Sequence, residues 1–144
     1  MNSKDIKSCD ILLVEDNPAD ARLITEFLSD MDFINDLYVQ TDGIKAMDFL
    51  NHHCKQKGYY PDFVILDLNL PGKNGVEVLK EIKGDTDLKK IPVMIFTTST
   101  AEEDIKKCYD NHASCYITKP LDFDEFTKTI TLIKDFWFNT VKLP

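Results

Sequence analysis

The chain has 144 residues, 43% hydrophobic and 29% charged, which is enough for one well-buried domain and too short for two ordinary ones. Its 25 acidic and 17 basic residues give a net charge of −8, which argues against binding a nucleic-acid phosphate backbone. No apolar run approaches bilayer length and the polar start Met1 to Lys7 carries no secretory pattern, so a cytoplasmic protein without a membrane span is expected.

Residues 1–8 read as a flexible N-terminal tail, and residues 9–144 as a single domain that includes a C-terminal extension of the last helix. Ile11 to Val14 is an all-apolar run, read as a strand buried on both faces, and it ends in Glu15 and Asp16. Asn17 and Pro18 then form a helix start, a side-chain cap followed by a proline at the first helical position. Ala21, Ile24, Phe27, Leu28 and Met31 make that helix's apolar stripe. Leu37 to Thr41 is shorter and less apolar, as suits an edge strand. After the break at Asp42-Gly43, Ile44, Met47 and Leu50 begin a second helical pattern that frays through Asn51 to Gly58.

Phe63 to Leu66 is a third strand and runs without interruption into Asp67. Taken alone, Asp67 reads first as a strand-capping acid, and only in company with the other strand ends as a chemical group. Val76, Leu79 and Ile82 mark a third helix that stops near Gly84, and Val93 to Phe96 is a strand ending in Thr97, Thr98 and Ser99. Ala101 to Tyr109 is a weakly amphipathic helix, with His112 where a helix-terminating glycine is usual. Cys115 to Thr118 is a second edge strand ending in Lys119-Pro120. Asp122 with Glu125 resembles a capping box for the last helix, whose inward stripe is Phe123, Phe126, Ile130, Ile133 and Trp137.

Five β-α repeats require an α/β fold, a doubly wound five-stranded parallel sheet of flavodoxin-like (βα)5 type. Placing the three most apolar strands centrally gives the order 2-1-3-4-5. That topology brings Glu15, Asp16, Asp67, Thr97 and Lys119 to one edge of the sheet. Three clustered acids repel: at an effective dielectric of about 20, each unit pair about 4 Å apart costs roughly 4 kcal/mol. All-oxygen ligands with room for water suit Mg²⁺, and the alternative is a structural acid cluster neutralised by Lys119 alone. His52, His53 and Cys54 are adjacent on a helix and point apart, so they do not converge on a metal. The scattered Cys9, Cys54, Cys108 and Cys115 read as reduced thiols.

The motifs LLVEDNPAD at 12–20, DG at 42–43, FVILDLNLPGKNGVEVL at 63–79, IPVMIFTTS at 91–99 and YITKP at 116–120 together resemble the two-component response-regulator receiver domain. The resemblance covers 9 to about 138. It implies that Asp67 accepts a phosphoryl group from a sensor histidine kinase. Mg²⁺ would be bound by the Asp16 and Asp67 carboxylates, by the Asn69 backbone carbonyl, and by Glu15 through water. It further implies that Lys119 pairs with Asp67 and then with the phosphoryl group, that the Lys119-Pro120 bond is cis, and that Thr97 and Tyr116 form a switch. The bland reading of those two is a strand cap and an edge cover. Asn69 and Ser99 would tune the phosphoryl lifetime, toward minutes rather than hours. The implied role is a signalling phosphoacceptor and not an enzyme beyond its own phosphorylation and dephosphorylation.

The chain ends soon after its last helix, so output is expected by contact with a downstream protein target or a histidine phosphotransfer protein. Phe136, Phe138, Val141 and Leu143 exceed what one inward stripe requires and suggest homodimerisation through the last two helices and strand. His112, the CYITK strand and the FW…LP ending are similar to stand-alone receivers paired with bacterial phytochrome kinases. A flavodoxin would need a phosphate-cradling loop where EDNPAD stands, and an aspartate-nucleophile phosphatase a second Asp at position 69. A phosphorylation-independent binding module remains the alternative.

Overall fold

The computed structural model describes residues 9–30 and 34–136. The expected tail 1–8, and the contributions assigned to Met31, Trp137, Phe138, Val141 and Leu143, lie outside the described residues. The strands are β1 Cys9–Val14, β2 Ile34–Gln40, β3 Phe63–Leu66, β4 Val93–Thr97 and β5 Cys115–Thr118. They form one parallel sheet in the order β2-β1-β3-β4-β5, as the pattern of apolar runs predicts. The helices are α1 Pro18–Ser29, α2 Gly43–Asp48, α3 Gly75–Gly84, α4 Glu102–Asp110 and α5 Phe123–Lys134.

Every residue of β1, β3 and β4 is buried, because alternate side chains point into different cores. Ile11, Leu13, Phe63, Ile65, Met94 and Phe96 meet Ile24 and Leu28 of α1 and Phe126, Ile130 and Ile133 of α5. Leu12, Val14, Val64, Leu66, Val93 and Ile95 meet Ala46, Met47, Val78, Leu79, Ile82 and Cys108 on the opposite face. Each such aliphatic side chain stabilises the fold by roughly 1.5–3 kcal/mol, so the central strands are the least movable part of the molecule. Glu15 and Asp67 follow directly on the central strands β1 and β3, and Lys119 on the edge strand β5.

Several elements differ from the sequence expectation. Helix α2 does not fray: a π-helical segment, Phe49–Cys54, and a last α turn, Lys55–Lys57, carry it to Gly58, which ends it at φ 64. Leu50 and Cys54 are buried in this continuation, and Lys55 pairs with Asp85 at the far end of α3. Ile44 is not on the inward stripe but 52% exposed, lying over Gly72, and Ala46 takes the inward place. Phe123 is 61% exposed because it is the first residue of α5, before the helix reaches the sheet. β2 begins three residues earlier than expected, at Ile34.

The caps at Asn17 and Asp122 bond as expected, and Asp42 and Asn74 add others at α2 and α3. His112 has φ 66, the left-handed conformation that its place after α4 predicts. The Lys119-Pro120 peptide is trans, not cis as the resemblance implies. Lys119 still turns inward, because its N–H donates to the Thr97 carbonyl at 2.6 Å and extends the β4–β5 ladder by one residue.

Candidate functional site

The carboxyl ends of β1, β3, β4 and β5 place the functional side chains. The Asp67 N–H donates to the Val14 carbonyl at 3.0 Å, so the backbone of Asp67 is fixed one residue from Glu15. Beyond Asp67 the chain must turn under the start of α3, where a Cβ on Gly75 would stand 2.3 Å from the Asp67 carbonyl oxygen. Only glycine fits there. Gly43 has the same role at the start of α2: its Cβ would stand 1.9 Å from the Lys73 carbonyl oxygen, so the two loops pack backbone to backbone.

One carboxylate oxygen from each of Glu15, Asp16 and Asp67 lies within 4.8 Å of the others. Glu15 and Asp67 are buried and Asp16 is exposed. Against this cluster sits the Lys119 ammonium, itself buried, 2.5 Å from Glu15 Oε1 and 2.9 Å from Asp67 Oδ2. Its Nζ also lies over the Phe96 ring, 6.0 Å from the centroid. The five residues that the sequence sends to this edge, Glu15, Asp16, Asp67, Thr97 and Lys119, all end the predicted strands.

Burial drives the Glu15 carboxyl up to about 8, with the Asp67 charge adding to the rise and Lys119 opposing it. Burial also pushes Asp67 upward, but hydrogen bonds from Lys119, Glu15 and Thr97 outweigh it and hold Asp67 below the ordinary carboxylate range. The two acids are thus driven apart, Glu15 toward the protonated form and Asp67 toward the anion. Burial alone would lower Lys119, yet its three carboxylate partners raise it and keep it charged.

Asn69 is exposed; its N–H donates to Asp67 Oδ1 at 3.3 Å and its amide to Thr98 Oγ1 at 3.4 Å. Thr97 is fully buried, and its hydroxyl accepts from the Ser99 N–H at 3.4 Å. The Tyr116 hydroxyl donates to the Ser99 carbonyl at 2.9 Å, so this half-buried ring reaches across to the loop after β4. Ser99 Oγ is committed elsewhere, donating to Asp104 of α4 at 2.6 Å. The Tyr116 N–H donates to the Tyr109 hydroxyl at 3.1 Å, which ties the far end of α4 to the same residue.

Two acids at the sheet edges escaped the sequence reading. Asp20 Oδ2 is 2.9 Å from Lys119 Nζ. It occupies the third position of α1, where an acid is accounted for by the helix dipole, so nothing marks it out in sequence. Asp10 is buried at the opposite, amino end of β1. It accepts from the Asp36 N–H at 3.0 Å and from the Tyr59 hydroxyl, and is a fold-stabilising group remote from the cluster.

The donor set fits a hard divalent cation: three carboxylates, oxygen only, with one exposed residue that leaves room for water. Among the described residues this is the one grouping of three potential ligands, and His52, His53 and Cys54 form none.

Residues 11–131 match the family of the response regulator receiver domain. The response regulator Rcp1 of Synechocystis sp. is 45% identical over 139 residues, covering 93% of this chain and 92% of that protein. A crystal structure of the Mn²⁺-bound form of Rcp1 superimposes with a TM-score of 0.88 at 43% identity, covering 94% of this chain and 99% of that one. The phosphorylated cyanobacterial phytochrome response regulator RcpA also gives 0.88, at 42% identity over 95% of this chain and 99% of that one.

Proposed function

The chain belongs to the response-regulator receiver family of signalling proteins, and from that membership we propose that Asp67 accepts a phosphoryl group from a phosphohistidine of a sensor histidine kinase. The observation that carries the assignment is the Lys119 ammonium 2.9 Å from an Asp67 carboxylate held in its anionic form beside Glu15 and Asp16. An Asp67 oxygen attacks phosphorus as the P–N bond breaks; its electron pair leaves on the imidazole nitrogen, and a P–O bond to Asp67 replaces it. Such a transfer needs positioning and charge neutralisation more than covalent help. Receiver domains bind a divalent metal, and here we assign Mg²⁺ to the Asp16 and Asp67 carboxylates, the Asn69 backbone carbonyl, and Glu15 through water. When bound, it neutralises charge on the transferring phosphoryl oxygens. Lys119 exchanges Asp67 for a phosphoryl oxygen.

Thr97 and Tyr116 then act as the switch, the Thr97 hydroxyl turning to the phosphoryl group and the Tyr116 ring following it. A hydrogen bond to a charged group supplies about 1.5–3 kcal/mol, whereas inverting a 1:99 equilibrium takes about 5.5 kcal/mol. Lys119 and a bound partner supply the difference, so the isolated domain shifts only in part. Asn69 and Ser99 border the path of attacking water and set the phosphoryl lifetime.

The phytochrome response regulator RcpA among the relatives supports a phytochrome-type kinase as the donor. Output runs in the cytoplasm by contact with a protein target or a histidine phosphotransfer protein, and the chain's chemistry is confined to its own phosphorylation and dephosphorylation. A second copy of the chain docks through α4, β5 and α5, near Phe136, which is 54% exposed. Sedimentation over a concentration series tests that contact, and a constant monomer mass rejects it. The rival is a receiver fold that binds partners without phosphorylation. Intact mass after incubation with acetyl phosphate and Mg²⁺ separates the two: one added phosphoryl group on wild type and none on Asp67→Asn supports transfer, and unchanged wild-type mass supports the rival.

A further inference from the structure

An ammonium group has three N–H donors and no more. In this structure Lys119 Nζ has three carboxylates within bonding distance: Glu15 Oε1 at 2.5 Å, Asp20 Oδ2 at 2.9 Å and Asp67 Oδ2 at 2.9 Å. The side chain is 3% exposed, so water does not substitute for any of them. The three acids are not equivalent. Glu15 and Asp67 belong to the grouping that fits a cation, whereas Asp20 stands outside it. Asp67 is also the proposed phosphoacceptor. Two of the three partners of Lys119 therefore have competing demands during phosphoryl transfer, and only Asp20 has none.

Asp20 is also well placed to hold still. It lies in the first turn of α1, its own N–H donating to Asn17 Oδ1 at 3.1 Å, and α1 is anchored by the buried Ile24 and Leu28. Its side chain is 22% exposed, the most open of the three partners. It thus forms the outer wall of the lysine's pocket, while Glu15 and Asp67 form the inner one.

Resting on the phosphoacceptor reading, we propose that Asp20 is a positioning residue. It tethers the Lys119 ammonium to α1, so that one N–H stays fixed while the bonds to Asp67 and Glu15 exchange. The tether keeps the cation beside the phosphoryl oxygens. It works through the hydrogen bond that Asp20 accepts, not through its charge alone. An amide oxygen at position 20 retains the bond, and a methyl group does not.

That distinction sets the test, because Asp20→Asn and Asp20→Ala remove the same charge, and toward an ammonium, which only donates, they differ in the acceptor. Both substitutions suit a helix first turn, and thermal melts check that both variants fold. In ¹⁵N-labelled protein without metal or phosphodonor, the Lys119 ammonium resonance is expected in wild type and Asp20→Asn and is lost to fast exchange in Asp20→Ala. With acetyl phosphate and Mg²⁺, Asp20→Asn is expected to be labelled about tenfold faster than Asp20→Ala, the scale of one hydrogen bond to a charged group. Equal rates in the two variants overturn the proposal, as does an ammonium resonance that is absent from wild type or unchanged in Asp20→Ala. If wild type takes no label, the phosphoacceptor reading fails instead, and the resonance still decides whether the tether exists.

Discussion

Glu15 offers a direct view of the electrostatics, through Glu15→Gln in the metal-free protein. The Glu15 carboxyl moves from an ordinary value of 4.5 to about 8 on folding, mainly through burial. Between those values the folded chain holds a proton that the unfolded chain releases. The stabilisation is complete below the unfolded value and is lost as the pH rises through the folded one. Integrated from pH about 5 to about 8, the loss is on the order of 3 kcal/mol, or roughly 6–12 °C in Tm for a chain of this size. Asp67, held below its ordinary range, and Lys119, held above its own, do not change charge in that window and leave the slope to Glu15. Glutamine reproduces the protonated acid: its oxygen accepts from Lys119 and its NH₂ donates to Asp67. Urea unfolding in EDTA at several pH values is the assay. Wild type should weaken steadily toward pH 8, while Glu15→Gln stays nearly flat and is the more stable protein at the alkaline end. A wild-type curve that is flat or rising over this range, or the same slope in the variant, refutes the reasoning.

Asp16→Asn removes a carboxylate with an oxygen within 4.8 Å of one on the Asp67 anion, so without metal it should stabilise the fold by about 1 kcal/mol at low salt. Calorimetry should show its Mg²⁺ affinity falling at least about tenfold, and a destabilised variant would show that the cluster does not repel. Gly75→Ala forces a methyl group against the Asp67 carbonyl oxygen and should cost about 1–3 kcal/mol or more in urea unfolding, with slower labelling of Asp67. Tyr109→Phe removes the acceptor for the Tyr116 N–H and should change stability by about 1 kcal/mol or less. It should nonetheless speed amide exchange at Tyr116, and unchanged exchange would contradict the bond.

The fold was legible because each central strand is an unbroken apolar run that stops at a chemically distinctive residue: Val14 before Glu15, Leu66 before Asp67, Phe96 before Thr97. Short-range patterns report burial well when both faces of a strand are covered. They failed at α2, where the polar run Asn51 to Gly58 has one buried side chain, Cys54, and a π-helical register brings it inward. Phe123 misled because hydrophobicity shows which side of a helix is apolar but not where the helix meets the sheet. Asp20 and Asp10 stayed hidden for a different reason. An acid in a helix first turn and an acid flanking a strand are ordinary in sequence, and only the fold brings Asp20 to Lys119 across 99 positions of chain. The site's core was readable from strand ends, while its outer wall depends on tertiary contact.

The central claim is that Asp67, and no neighbouring acid, carries the phosphoryl group. Borohydride reduction of the protein after treatment with acetyl phosphate and Mg²⁺, followed by peptide mass analysis, locates the label, since an acyl phosphate is reduced to the alcohol. The account predicts homoserine at position 67 alone. Reduction products at Asp16, Glu15 or Asp20, or none at 67 in protein that has gained phosphoryl mass, would contradict it.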